Sequence, residues 1–413
     1  MLSRSLVSLA TLLAATASIA AAQQPAPAGG APPANGPGPA GARAQTPEGP
    51  KPYRDVITAA AVTDSGVFNI HRIGEKLFYE IPRGMFGREF LLVADRRGTA
   101  RGVGYAGEEV TSRVVRWERL GNRMLLRLVN YDMTADSTLP VSRAVRLSNI
   151  AQILRSFDIA AFSPEDSNAV VEVTGLFTQD VPELNARQAL GRRVRRFDPA
   201  RSIIERAGSF PRNIEVSALQ TYDVDSVPGA AGQRADGSTN TVTLLMNYSM
   251  VLLPDQPMMP RLCDNRFGIF GVTFEDFGRS DVRARPRCYL VRWRLEAQNP
   301  AAASSEPIKP IVFYIDPATP EQWVPWLILG VQMWEPVFRA AGFPNAIQAR
   351  RAPTAAEDPE FDVDDARYSA IRWLPSTIEN AYGPATVDPR SGEILQSNIG
   401  FYHNITSLLQ AWY

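Results

Sequence analysis

Between Lys51 and Pro307 turn residues cut the chain into short runs whose apolar and polar side chains alternate, a period of two that dictates β-strands. Cys288 to Glu296 is one such run. Tyr289, Val291, Trp293 and Leu295 point one way and Arg292, Arg294 and Glu296 the other. Glu89 to Ala94, Arg113 to Arg119, Met124 to Tyr131, Ala169 to Phe177, Ile214 to Tyr222 and Thr241 to Leu253 read similarly. Gly121-Asn122 marks a hairpin, and one helical interruption is expected around Ser148 to Phe157. Many short strands at this spacing predict an antiparallel sheet, doubled into a sandwich or curved into a barrel.

The period changes after a spacer rich in Ala, Ser and Pro, Asn299 to Pro307. Ile311 to Ile315 is a compact apolar strand. Trp326, Leu327, Val331, Trp334, Val337, Phe338 and Ala341 then recur at helical spacing. Thr319 with Gln322 offers a capping box, Pro325 suits the first turn, Pro336 should kink the helix, and Gly342 ends it. Tyr368 to Leu374 and Ile394 to Tyr402 are further strands, with a tight turn at Asp388 to Gly392. The whole reads as α+β: a β-rich antiparallel region followed by an incomplete α/β subdomain.

Met1 to Ala22 carries Arg4, the apolar stretch Leu6 to Ala17, and small residues Ala20 and Ala22 at the positions a signal peptidase reads. It is read as a secretory signal peptide, since the apolar run falls short of the ~20 residues a membrane helix needs. The 28 residues from Gln23 to Pro50 contain 8 Pro, 6 Gly and 7 Ala, too little side chain to bury, and are read as a disordered tether. The chain is therefore expected to be exported, to a periplasm or beyond, without a membrane anchor. Its 43 Lys+Arg against 43 Asp+Glu leave no global field to gather nucleic acid. In an exported chain Cys263 and Cys288 are read as one disulfide, worth about 3 kcal/mol; two buried thiols are the alternative.

Several features carry chemistry weakly. The two histidines, His71 and His403, lie 332 positions apart, so a His-Glu-x-x-His zinc helix is not among these residues. Gly102, Gly104 and Gly107 fit the dinucleotide spacing, yet the sequence runs on into a β-type segment where that fingerprint needs a helix. Arg192, Arg193, Arg195 and Arg196 form a basic cluster, with acids close behind at Asp198 and Glu205, and a solvated or interdomain surface is expected. The loop Glu357 to Asp365 has six carboxylates in nine residues; it lacks the Asp spacing and Gly of a calcium loop and is expected to be a solvated turn.

The run D-V-D-D-A-R-Y-S-A-I-R-W-L-P-S from Asp362 to Ser376 is followed by Gly383-Pro384, the turn Asp388 to Ile394, and Phe401-Tyr402-His403-Asn404. Phe197 to Ser202, Phe210 to Val216, Met259-Pro260-Arg261 and Arg292 to Glu296 precede it in the β-rich part. In number and order these segments resemble the bacterial secreted zinc-dependent metalloproteases whose N-terminal regions are the DUF5118 and DUF5117 domains. The resemblance implies a short DUF5118-like segment at 51–85, a β-rich DUF5117-like domain at 86–300, and at 308–413 the start of a metzincin-like (zincin-like) catalytic domain. It implies peptide-bond hydrolysis by zinc-activated water in a full-length parent. The zinc ligands are absent here, so this chain is expected to be an inactive N-terminal fragment that binds no cofactor, and no catalytic or metal residue is assigned. The chain is expected to be truncated at Tyr413, where Ile405, Leu408, Leu409 and Trp412 open a new helix. By the same resemblance Ile394 to Tyr402 is a cleft-edge strand on which Leu395, Gln396, Ser397, Asn398 and Ile399 pair with a peptide or protein substrate. The alternative is a non-catalytic extracellular module that binds a partner or assists folding.

Overall fold

The computed structural model describes residues 49–412 apart from 101–102, 165–166, 192–193, 226–239, 265, 267, 279–282 and 377. The expected signal peptide, nearly all of the tether, Gly102, Arg192 and Arg193 lie outside the described residues.

The β-rich part follows a short helix α1 (Tyr53–Val56) with β1 (Val62–Ser65), β2 (Asn69–Ile73), β3 (Lys76–Ile81), β4 (Glu89–Gly98), β5 (Glu108–Leu120), β6 (Arg123–Val129) and β7 (Met133–Thr134). After α2 (Val141–Ser148) come β8 (Gln152–Phe162) and β9 (Ala169–Glu172); after α3 (Thr174–Thr178) and α4 (Arg187–Leu190) come β10 (Val194–Ser209), β11 (Asn213–Val224), β12 (Thr241–Leu252), β13 (Gly271–Asp276) and β14 (Pro286–Leu290). Eleven of these strands form one antiparallel sheet in the order β1-β2-β3-β9-β8-β6-β5-β4-β12-β11-β10. A small sheet β14-β13-β7 stands apart from it.

The large sheet is not a sandwich; it curls into a half-barrel. Its two edges are bridged where the β1–β2 turn meets the end of β10. The Val67 amide donates to the Phe210 carbonyl at 2.8 Å, and the Ser209 amide to Asp64 Oδ2 at 3.0 Å. Alternation explains which face fills the interior. Phe90, Leu92 and Ala94 of β4, Val216 and Ala218 of β11, and Met246 and Tyr248 of β12 all belong to one buried core with Trp117 and Tyr79. Burying each large side chain contributes roughly 2 kcal/mol.

Two expectations shift here. The helix comes before the expected position: α2 follows Pro140, and Gln152 to Phe162 is instead a strand held between β6 and β9. Pro fixes a helix-compatible φ at a helix start, and ladder pairing on both sides overrides local preference in the residues after it. The expected strands at Ala169 and Cys288 are also shorter, ending at Glu172 and Leu290.

The last hundred residues build a third sheet, with β15 (Ile311–Ile315), β16 (Ile347–Arg351), β17 (Ser369–Leu374), β18 (Ala381–Tyr382), β19 (Ala385–Asp388) and β20 (Glu393–Tyr402). β16, β15, β17 and β20 run parallel in that order, while β18 and β19 pair antiparallel with β20. The β15–β16 crossover carries α5 (Val324–Gln332) and α6 (Glu335–Ala340), and α7 (Ile405–Trp412) follows β20. The helix breaks between α5 and α6, just ahead of Pro336, whose ring cannot donate the hydrogen bond that would continue it. A short 3-10 turn, Glu321–Trp323, leads into α5, and its cap position Trp323 makes no side-chain cap, so the capping box does not form. Val324, Leu327 and Phe338 pack on Ile311, Phe313, Ile315 and Ile371. The opposite helical face stays in solvent, with Trp326 65% and Met333 71% exposed.

Candidate functional site

The strands that send apolar side chains into the barrel send polar ones out of it. On β4 these are Asp95 and Arg97, on β11 Asn213, Glu215 and Ser217, and on β12 Asn247 and Ser249. Register aligns them: Asp95 lies opposite Asn247, which lies opposite Ser217, while Glu215 lies opposite Ser249. The α/β layer covers this face. Arg372 of β17, Gln396 and Asn398 of β20, and Asp364 from the preceding loop close a cavity of about 120 Å³.

Asp364 is the anchor. Both its oxygens accept from Arg97 at 2.8 Å, one accepts Arg372 at 2.6 Å and the other Arg206 at 3.1 Å. Arg97 and Arg206 belong to the barrel, so this cluster joins the two sheets. Burial pushes the Asp364 carboxyl up, but the charges of Arg97, Arg372 and Arg206 outweigh it and hold it below its ordinary value. Asn213 reinforces the joint: its Nδ2 donates to the Asp364 carbonyl at 2.9 Å and its Oδ1 accepts the Ala366 amide at 2.8 Å.

Beside this anion sits a pair of carboxyls of opposite character. The Asn247 amide bridges them, donating to Glu215 Oε2 at 2.9 Å and Asp95 Oδ2 at 3.2 Å. Burial, and then the charge on Asp364, push Glu215 up to about 8. Burial likewise raises Asp95, against the pull of Arg97, and raises Glu109 on the cavity wall. One carboxylate thus stays ionised while its neighbour keeps a proton at neutral pH. A cavity this small has room for water rather than substrate, so the arrangement works as a buried joint between barrel and layer.

The residues expected to pair with substrate are placed differently. β20 is not an edge strand: β17 pairs with it at Asn398–Tyr402, and β18 and β19 occupy its other side. Asn398 to Tyr402 is thus paired by β17, with β18 opposite at Gly400 and Phe401, and Glu393 to Ser397 is paired by β19. Gln396 and Asn398 face the cavity, where Gln396 Nε2 donates to the Tyr368 carbonyl at 2.8 Å. The Ser397 amide donates to Ser369 Oγ at 3.0 Å. Leu395 packs with Leu91, Val114 and Leu253, and Ile399 packs in the core of the α/β layer.

The other candidates find structural partners. Cys263 and Cys288 are joined by a disulfide. His71 is buried between Thr63 Oγ1 at 2.8 Å and Glu80 Oε2 at 3.1 Å; His403 is exposed, its ring edge-on to Trp373. Gly107 leads straight into β5. Arg195 pairs with Asp225 and Arg196 with Asp223. The acidic loop departs from a solvated turn at its end: Asp364 and Asp365 are buried, because Arg97, Arg372, Arg206 and Arg367 answer their charges. Among the described residues no three His, Cys, Asp or Glu side chains are grouped to hold a metal ion. No described helix is long and apolar enough to cross a membrane.

Asp95, Arg97, Glu215 and Asn247 were not singled out by the sequence. Each is an ordinary polar residue on the outward face of an alternating strand, and only the α/β layer laid over them turns that face into a buried site.

The chain is thus β-rich, a curled antiparallel sheet jointed through buried charge to a mostly parallel α/β layer. Family models place it: residues 50–96 match the domain of unknown function DUF5118 and residues 107–298 the domain of unknown function DUF5117. The chain therefore carries both domains. No curated protein and no solved structure matches it. The two domains share one sheet, since β4, mostly within the first, lies between β5 and β12 of the second, and β3 pairs with β9.

Proposed function

We propose that this chain is the N-terminal, non-catalytic part of a secreted zinc-dependent metallopeptidase, in which the curled sheet carries and orients the first strands of a zincin-like catalytic layer. The observation that carries this reading is the joint around Asp364. It ties the DUF5118/DUF5117 sheet to a parallel α/β layer whose helices leave Trp326, Met333, Trp334 and Val337 in solvent. Apolar surface on that scale calls for a cover, which further catalytic-domain elements would supply. The ordered series of segments shared with those peptidases supports the same reading, and the signal-like N-terminus supports export.

The coding sequence beyond codon 413 tests it. An in-frame His-Glu-x-x-His, with zinc-dependent peptide hydrolysis by the longer product, is the expected result. A stop codon at that point in the intact gene would overturn it and favour a stand-alone binding or folding module.

A further inference from the structure

Gln396 faces the small cavity, while its neighbour Leu395 lines a larger hollow of about 520 Å³ between barrel and layer, within the range of small-molecule sites. Trp293, Ile311, Tyr314 and Leu395 give it apolar walls. The Tyr314 ring is braced by Phe361 at 5.0 Å and Tyr368 at 5.4 Å, and Trp293 stands edge-on to Phe313.

Five cations line the hollow, Arg212, Arg294, Lys309, Arg350 and Arg367, against two carboxylates, Glu296 and Glu393. Three of the cations are occupied. Arg294 grips Glu393 at 2.5 and 2.9 Å, Arg367 pairs with Asp365 at 2.6 Å, and Arg350 donates to Gln348 Oε1 at 2.7 Å. Among the described residues, the side chains of Arg212 and Lys309 have neither an ion pair nor a hydrogen bond. They reach the same hollow from opposite partners, Arg212 from the β10–β11 turn of the barrel and Lys309 from the bend leading into β15. Burial, and then the charge of Arg212, hold the Lys309 amine below its ordinary value. Two like charges lining one apolar-walled space, offset in part by the Glu393 carboxylate, are further stabilised by an anion between them.

We propose that this hollow binds an organic carboxylate bearing an alkyl or aryl group, its carboxylate between Arg212 and Lys309 and its apolar part against Trp293 and Ile311. The free acid and the C-terminal carboxylate of a peptide share this chemistry. The site is independent of the peptidase reading, because it uses no zinc and no cleavage.

Calorimetric titration of the full chain with octanoate, octanol, inorganic phosphate, and Ala-Ala-Phe as acid and as amide tests the proposal. Binding of octanoate but not octanol is expected, with a weaker affinity by roughly tenfold or more in the Arg212→Ala/Lys309→Ala double variant. Both residues lie outside the strands and are exposed overall, only the Lys309 amine being drawn into the hollow, so that variant should keep its far-ultraviolet circular dichroism. Tighter binding of the peptide acid than of its amide makes the peptide terminus the source; binding of octanoate with no preference for peptide acid over amide makes it the free acid. The lysines provide a second readout, because the chain has only Lys51, Lys76 and Lys309. Octanoate should slow acetylation by an N-hydroxysuccinimide ester at Lys309 and leave Lys51 and Lys76 unaffected. Equal binding of octanol, phosphate binding as tight as octanoate, or no carboxylate binding with Lys309 labelling unchanged would overturn the proposal.

Discussion

Asp364 and Glu215 lie in one site but respond to pH in different ways. Glu215 has its folded pKa raised from 4.5 to about 8, so its protonated form belongs to the folded state. Its contribution is complete below pH 4.5 and is lost as pH rises through about 8, a slope of about 1.4 kcal/mol per pH unit at most within that window. Glu215→Gln carries no charge at any pH, so its urea midpoint should fall less than the parent's between pH 6 and 9 and exceed it at pH 9. Equal slopes in the two proteins would refute the assignment. Asp364→Asn leaves three guanidiniums facing a neutral amide. Arg206 is half exposed, so the loss should sit near the low end for a broken buried cluster, about 2–3 kcal/mol by denaturant unfolding. Neither role was legible from composition. The motif containing Asp362, Asp364 and Asp365 was visible, but its burial depends on arginines 158 and 267 positions away in the chain.

Strands were readable where one face meets the barrel core, because alternation survives there: β4, β11 and β12 fall close to their expected runs. Elements fixed by pairing rather than pattern were not. The start of β8 lacks the alternation of a strand with one buried face: Ile153 is exposed at 54% although it is paired with Arg127 of β6. The edge position of β20 came from the resemblance alone, and β18 and β19, two and four residues long, leave almost no periodic signal that could have corrected it. The meeting of the two sheet edges is tightest at Gly66. A Cβ on Gly66 would stand 2.5 Å from the Phe210 carbonyl oxygen, so Gly66→Ala must push the β1–β2 turn off β10. A loss of about 2 kcal/mol or more is expected, with faster amide exchange at Val67 than at core positions of β11. An unchanged midpoint would show that the edges are not in contact.

At the scale of the molecule, the DUF5118 and DUF5117 segments are one folding unit, since a strand of the first lies between strands of the second. A product starting at residue 107 would lose β1 to β4 and expose the core around Trp117, and it should be insoluble or unfolded. Recovery of a cooperatively folded 107–298 product would contradict this. The α/β layer is attached by the Asp364 joint and leaves its helices uncovered, so limited proteolysis should cut α5, α6 and α7 before the barrel strands. The supporting role assigned to the chain is tested most directly by its metal content. After incubation with one equivalent of zinc and gel filtration, the purified chain should carry no stoichiometric zinc by mass spectrometry and leave a casein substrate intact. One zinc per chain together with casein cleavage would contradict it.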